Sequence, residues 1–475
     1  MTRLTGERQD DKTTNYPIPC IAYTCQTKED ELRSDINLNK TCWEVVIDPS
    51  KGKVLVATRD IKPWEGVLKD TALITAPSSS PVCLGCLVPV SGEVVCTLCK
   101  WPLCRQECQE EQSHQEECKL FKTSKIAPVR DQLDRSLGIY SFISVLRVLL
   151  LKEKDIEAWK IIEEMMDHWE ERSKDRKVVE GVATMTKFFQ EKLGLTWVTI
   201  EDVCHVYGVL KTNAVGLMSG HAQALYPVVC ILSHSCAANL EPVRDPSSVI
   251  EFRAKRMIKK GEELTMRYTD FLDSRRNIQK KINNEWIFTC SCLRCSDSTE
   301  FGSNFSSFQC YCGGYYHEYG SSSEKNWKCS SCLKERDLED KYSEADQLFG
   351  SITNHNVDEI LAIIEIEKGG YHRNFYLTTQ CYMKYLEKNK MSEDEETVRC
   401  TVDRARVVLE TLAMVDEGCT RLNGKFLLIL LTAQQKLLII KRKKQEIEGM
   451  EFRAAMMEIT KAKLQAAKMI SPFSI

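Results

Sequence analysis

The sequence predicts an α+β fold: a β-rich body stapled by metal, with inserted segments, followed by a helical C-terminal region. Three observations carry this. Between residues 42 and 76, short strand-like runs alternate with turn clusters. Cysteines gather at 83–118, 290–295 and 310–332. From about residue 338, apolar residues recur at helical spacing beneath charged faces.

Composition sets the frame. The 475 residues correspond to two to four domains of about 150 residues each. Apolar residues are 43% and charged residues 28%, enough for a sizeable core. The net charge of -3 gives no bulk attraction to nucleic acid, so direct nucleic-acid binding is not expected. The opening stretch MTRLTGERQDDKTTNY is polar and does not read as a secretory signal. A reducing compartment is therefore expected, where clustered cysteines read as zinc ligands before disulfides. The longest apolar run, 426–440, is broken by Gln434, Gln435 and Lys436, which suits a buried helix and no membrane span.

Residues 1–38 show no periodic pattern and are expected to be loosely ordered. Strands follow in WEVVI, VLVATRDI and LKDTALITA, punctuated by PSKGK and KPWEG and closed by PSSS. Helical patterning fills about 125–200, and strands and turns are expected again over 203–272. The segment from 338 reads as amphipathic helices that could stack as an irregular repeat.

The first cysteine group runs Cys83, Cys86, Cys96, Cys99, Cys104, Cys108, His114 and Cys118. Zinc takes four ligands in a tetrahedron, and a C-x2-C turn supplies two. The interleaved choice is Cys83, Cys86, Cys104 and Cys108 for one site, and Cys96, Cys99, His114 and Cys118 for the other. The second half of each site has i, i+4 spacing, which predicts two ligands on one helix face. Cys290, Cys292 and Cys295 lack a fourth ligand, for which Cys236 is a candidate from more than fifty residues upstream. Cys310, Cys312, Cys329 and Cys332 form a complete ribbon-like site. These sites use 15 of the 23 cysteines, and the others are expected to pack in cores. The stretch ILSHSCAANLEP, 231–242, remains open on its own terms. His234 and Cys236 there could be half a metal site, a nucleophile with its base, or a strand end.

Taken in order, KGK before a strand, the first cysteine group with its HQEEC ending, KTNAVGL, ILSHSCAANL, FRAKRMIKKGEELTMRYTD and FTCSCLRC resemble the SET- and MYND-domain (SMYD) protein lysine methyltransferases. The resemblance covers about residues 42–296, and the group at 310–332 resembles an arthropod-type branch. It implies a β-rich SET domain with a pseudoknot, an inserted MYND zinc finger, a post-SET zinc lid and a C-terminal helical domain. The implied parts are 39–80 (first part of SET), 83–118 (finger), 119–200 (helical insert), 201–272 (SET core), 273–298 (post-SET), 305–335 (additional zinc site) and 338–475 (helical domain). The finger is expected to be an insertion stabilised by its own metals.

The resemblance also implies roles. S-adenosylmethionine would be the cofactor, contacted by Lys51, Gly52, Lys53, Asn213, Ser233, His234, Tyr268 and Phe288. Tyr268 would be catalytic, Val215 and Trp286 would line the lysine channel, and Cys236 would join the post-SET zinc. Such a channel must present a neutral amine, although free lysine has a pKa near 10.4. An apolar aromatic wall disfavours the ammonium and aligns the nitrogen for in-line attack. A protein substrate, histones included, a role in transcription, and proline-rich or co-repressor partners at the finger are implied as well. So are a monomer and cytoplasmic or nuclear residence.

The chain departs from the family pattern at Gly52-Lys53-Val54 (usually Gly-Arg-Gly), Ser233 (usually Asn) and Ala238 (usually Pro). At two channel positions where the family commonly has aromatics, this chain has Val215, which is not aromatic, and Trp286, which is bulkier than tyrosine. These departures bear on catalysis rather than on fold. The second reading is therefore an adaptor of the same fold with weak or no catalysis.

Sixteen ligands in sets of four predict four zinc ions per chain. Metal analysis of protein purified without chelator tests this, and two or fewer per chain refutes it.

Overall fold

A computed structural model of the chain describes residues 41–78, 81–127, 137–217, 220–244, 248–320, 325–366 and 370–470. The expectation for residues 1–38 lies outside them. β1 (Trp43–Asp48) and β2 (Gly52–Ala57) form an antiparallel hairpin, with Asp48 opposite Gly52. Its turn closes because Asp48 Oδ1 accepts from the amides of Ser50 and Lys51 at 2.8 and 3.0 Å. Gly52 then takes φ +78°, a conformation that favours glycine. β3 (Gly66–Thr71) and β4 (Ile74–Pro77) follow.

The finger holds a short hairpin, β5 (Val94–Val95) with β6 (Pro102–Leu103), then a 3₁₀ turn over Gln106–Glu110 and α1 (Gln112–Ser124). The expected helical face exists for His114 and Cys118, both on α1. It does not exist for Cys104 and Cys108, because Cys104 precedes the 3₁₀ turn that carries Cys108.

Five helices come next: α2 (Leu137–Lys154), α3 (Ile156–Glu163), α4 (Trp169–Arg172), α5 (Arg176–Lys187) and α6 (Ile200–Asn213). α6 corrects the expectation of strands from 203. Its valine-rich run favours strand by residue type, but Val203, Val206, Val209 and Leu210 all bury on one helical face. Thr199 and Asp202 cap its start reciprocally.

The finger is not a separate unit, as its core continues into the helical insert. Trp101 stacks on Phe121 at 4.7 Å and meets Tyr140 edge-on at 5.6 Å. Buried Arg147 of α2 grips buried Glu117 of α1 through bonds of 2.9 and 2.7 Å.

The strands that follow are β7 (Val215–Gly216), β8 (Ala222–Leu225), β9 (Ser233–His234), β10 (Leu240–Arg244), β11 (Val249–Ala254) and β12 (Thr265–Met266). They pair with strands laid down before the finger, in the orders β4-β8-β7 and β10-β11-β3. β9 and β12 run parallel, Ser233 beside Thr265 and His234 beside Met266. Buried Asn239 locks this crossing. Its amide donates to Glu262 Oε1 (2.9 Å) and the Glu263 carbonyl (2.8 Å), while its oxygen accepts from the Thr265 amide (2.9 Å).

α7 (Arg275–Trp286) and α8 (Leu293–Ser296) lead to a four-stranded ribbon. Its strands are β13 (Phe308–Gln309), β14 (Tyr315–Gly320), β15 (Lys325–Cys329) and β16 (Glu335–Arg336). Among the described residues six helices follow: α9 (Glu339–Ser351), α10 (Val357–Ile366), α11 (Tyr376–Asn389), α12 (Glu395–Val415), α13 (Arg421–Lys443) and α14 (Gly449–Ile470). The ribbon shares one apolar core with them. Among the described residues, no helix is long and apolar enough to cross a membrane.

The turn after α12 ties these helices to the body. Asp416, buried, pairs with Lys255 at the end of β11 and with Arg267 beyond β12, and Arg267 also reaches Glu241 at 3.2 Å. Burial works against the Asp416 charge, but Arg267 and Lys255 outweigh it and hold its pKa below the ordinary carboxylate range. Gly418 has φ +108°, and a Cβ there would collide with the Lys255 carbonyl oxygen. An Asp416→Ala variant leaves Lys255 buried without its anion. The expected cost is about 3–5 kcal/mol, read as a lower thermal denaturation midpoint; an unchanged midpoint would show the cluster to be dispensable.

Candidate functional site

Four groups of ligand atoms converge, each lying within 4.8 Å of one another: Cys83/Cys86/Cys104/Cys108, Cys96/Cys99/His114/Cys118, Cys236/Cys290/Cys292/Cys295 and Cys310/Cys312/Cys329/Cys332. They are the four expected sets, with Cys236, the candidate fourth ligand, beside Cys290, Cys292 and Cys295. A tetrahedral site with metal–sulfur bonds of about 2.3 Å has sulfurs about 3.8 Å apart. The observed separations run from 3.3 Å (Cys86–Cys104) to 3.8 Å (Cys310–Cys332), too long for disulfides and suited to zinc. In the second set His114 turns Nε2 toward Cys99, at 3.6 Å. Its Nδ1 is 3.7 Å from Glu117, whose charge Arg147 shares, so the buried pair stands behind the ligand.

The third set abuts an aromatic slot. Tyr268 follows β12, and its backbone N–H donates to His234 Nδ1 at 3.0 Å. Nδ1 being the acceptor, Nε2 carries the proton and faces Cys236 Sγ at 3.4 Å. One imidazole thus links the tyrosine backbone to a metal-ligating sulfur. The Tyr268 hydroxyl donates to the Leu232 carbonyl at 2.6 Å. Burial, then Cys230 and Glu263, raise its pKa above the ordinary range, so the hydroxyl stays neutral. Trp286, last residue of α7, lies 5.3 Å from the Tyr268 ring, and Phe288 lies 6.3 Å from His234. Val215 packs against the same core as Tyr268. Ser233 contributes its backbone to the parallel pairing.

A charged rim adjoins the slot. Lys51 reaches Glu263 Oε2 at 2.6 Å, and Lys53 reaches Glu164 Oε2 at 2.8 Å. Glu263 Oε1 is buried without a hydrogen-bond partner. Two ammonium groups and an available carboxylate oxygen suit the carboxylate and amine of an amino-acid moiety. Asn213 donates its amide to the carbonyls of Met166 (2.8 Å) and Val209 (3.1 Å), so only its oxygen remains for a ligand. His234 likewise has both nitrogens engaged and would present its ring face or backbone.

Sequence reading missed three contributors. Glu164, just after α3, partners Lys53 across 111 residues, which no local pattern signals. Glu263 lies inside the GEELTMRYTD motif but was given no role. Cys230, four residues before His234, has its thiol pushed up to about 12 by burial and so stands near Tyr268 as a neutral group.

Comparison with known proteins finds the SET domain family over residues 90–269. The strands before residue 90 belong to the same body, since β3 pairs with β11 and β4 with β8. The chain is 27% identical over 320 residues to the Drosophila melanogaster protein named SET domain-containing protein SmydA-8, isoform A, covering 63% of this chain and 66% of that one. It is 26% identical over 266 residues to Mus musculus Histone-lysine N-methyltransferase SMYD3, covering 52% and 59%. A solved structure of Rubisco LSMT bound to AdoMet covers 90% of this chain and 89% of that one, at 11% identity and a TM-score of 0.34.

Because His234 connects Cys236 to Tyr268, Cys236→Ser is expected to release one metal ion per chain and to loosen the slot. Metal content and the fluorescence of Trp286, isolated by substituting the other tryptophans, report both effects. Full metal content with an unchanged Trp286 signal would remove the link.

Proposed function

We propose that the chain is a SET- and MYND-domain (SMYD) protein, an S-adenosylmethionine-dependent protein lysine N-methyltransferase of the arthropod-type branch. The observation that carries this reading is one juxtaposition. Tyr268, Trp286 and Phe288 wall a slot, the Cys236 metal set closes it, and the charged rim of Lys51, Lys53 and Glu263 adjoins it. When bound, the cofactor supplies an electrophilic methyl group on a sulfonium. The residues of the chain do the rest. Lys51 and Lys53 attract a carboxylate, and Glu263 accepts from an ammonium. The aromatic walls favour the neutral lysine amine and hold it in line. Tyr268, whose hydrogen is given to Leu232, keeps its oxygen lone pairs as acceptors that would position the amine and the methyl group.

In this reading the finger, 83–118, is a MYND-type interaction module for proline-rich peptides, co-repressor segments included. A protein substrate, histones among the candidates, a role in transcription, and cytoplasmic or nuclear residence follow with it.

A second reading, a catalytically weak adaptor, is favoured by one observation. Trp286 fills the slot beside Tyr268 with a larger ring than tyrosine and without a phenolic hydroxyl. Thermal protection by S-adenosylmethionine separates the two, since an adaptor with a blocked site gains none.

For an enzyme, Tyr268→Phe keeps the ring and removes the hydroxyl. Turnover is expected to fall about tenfold or more, at least ~1.4 kcal/mol of transition-state stabilisation, with cofactor affinity nearly unchanged. Trp286→Tyr is expected to raise methyl transfer to cell-extract proteins. If neither wild type nor Trp286→Tyr transfers methyl groups or binds S-adenosylmethionine, the enzyme reading fails.

A further inference from the structure

The ribbon over 308–336 has no part in the chemistry proposed above, yet it grips the helix that carries one wall of the slot. Cys310 and Cys332 lie 3.8 Å apart, and Cys312 and Cys329 3.5 Å. Cys329 is the last residue of β15 and pairs with Tyr316 of β14. Two residues along, Glu318 pairs with Trp327. That pair receives Arg276 from the first turn of α7. Arg276 bonds Glu318 Oε1 through Nε (2.9 Å) and Nη2 (2.5 Å), and Glu339 of α9 through Nη1 (2.7 Å) and Nη2 (2.8 Å). Its guanidinium also lies 4.2 Å from the Tyr342 ring and 5.6 Å from Trp327. Arg276 and Glu318 are 16% and 13% exposed, so their bonds are shielded from solvent, while Glu339 at 44% closes the outer side of the clamp.

α7 is the lever. Its start is held by Arg276, by Ser274 bonded to Tyr342 (2.6 Å) and by Asn277 bonded to Asp346. Its middle, Ile278 and Ile282, packs on the Cys236 metal set. Its end presents Trp286, and Ile287 at φ +62° turns the chain to Phe288. Ten residues of helix, about 15 Å, separate the gripped arginine from the slot.

We propose that the ribbon is a metal-dependent brace for the slot: its tetrad fixes β14 and β15, these hold Arg276, and Arg276 sets α7 and thereby Trp286 and Phe288. Arg276 is a positioning residue, since it touches neither slot nor rim. The consequence for cofactor binding rests on the methyltransferase reading, but the brace itself does not.

The test uses the full chain with Cys332→Ser, which breaks the tetrad, and Arg276→Gln, which leaves it. Cys332→Ser should hold three metal ions instead of four, and Arg276→Gln all four. In both, amide exchange over 282–290 should rise about tenfold, with β3 and β11 keeping wild-type protection as evidence of folding. S-adenosylmethionine should bind about tenfold more weakly, and Arg276→Lys, which keeps the charge, should restore part of the loss. Unchanged exchange over 282–290 in a folded three-metal Cys332→Ser protein overturns the proposal. So does a rise in Cys332→Ser that Arg276→Gln does not reproduce. If exchange rises as stated but wild type does not bind S-adenosylmethionine, the brace stands and the cofactor reading fails.

Discussion

Four sulfurs drawn from two distant parts of the chain hold the slot together. Cys236 comes from the crossing of β9 and β12, and Cys290, Cys292 and Cys295 come from the segment beyond α7. The apolar contribution at this junction is small, with Ile278 and Ile282 the buried aliphatic side chains beside the cysteines. Hydrophobic burial on that scale, roughly 1.5–3 kcal/mol per side chain, cannot order a lid against its conformational entropy. Metal–thiolate bonds can, because they are strong, directional and absent from the unfolded chain. His234 then carries the order inward, from Cys236 to the backbone of Tyr268.

The C-terminal helices are attached to this body by charge as well as by the apolar core that Phe271 and Leu272 share with them. Asp416 engages Lys255 and Arg267, one residue from Tyr268, while Glu318 and Glu339 engage Arg276 on α7. Buried ion pairs of this kind contribute little net stability, but they tolerate no missing partner. They therefore specify geometry. The two clusters grip the slot from the back of β12 and from the outer end of α7, so its shape is set by three parts of the chain.

Much of this was legible. Three metal sets follow from ligand spacing, because a tetrahedral ion needs four donors and close pairs come from tight turns, while Cys236 entered the remaining set as a candidate that the family resemblance supported. Tyr268, His234, Trp286 and Phe288, grouped by the family resemblance, stand together in the fold. Other features were not legible. α6 was hidden by valines that favour strands in isolation and yield to helix when one face is buried. The continuity of the finger with the helical insert was hidden because Glu117 and Arg147 are an unremarkable acid and base until both are buried.

The sequence by itself determined the chemistry available: which residues can ligate metal and which motif carries the tyrosine. Those properties reside in residue type and local spacing, which the chain carries in any conformation. Tertiary structure alone decided which groups are spent and which remain. Asn213 and His234, both expected at the cofactor, already bond within the protein, while Glu263 keeps a buried oxygen without a hydrogen-bond partner. Glu164 and Arg276 acquired roles only when folding brought partners from more than forty residues away. The reason is physical: a hydrogen-bonding group is defined by its donors and acceptors, but its availability depends on what the fold places beside it.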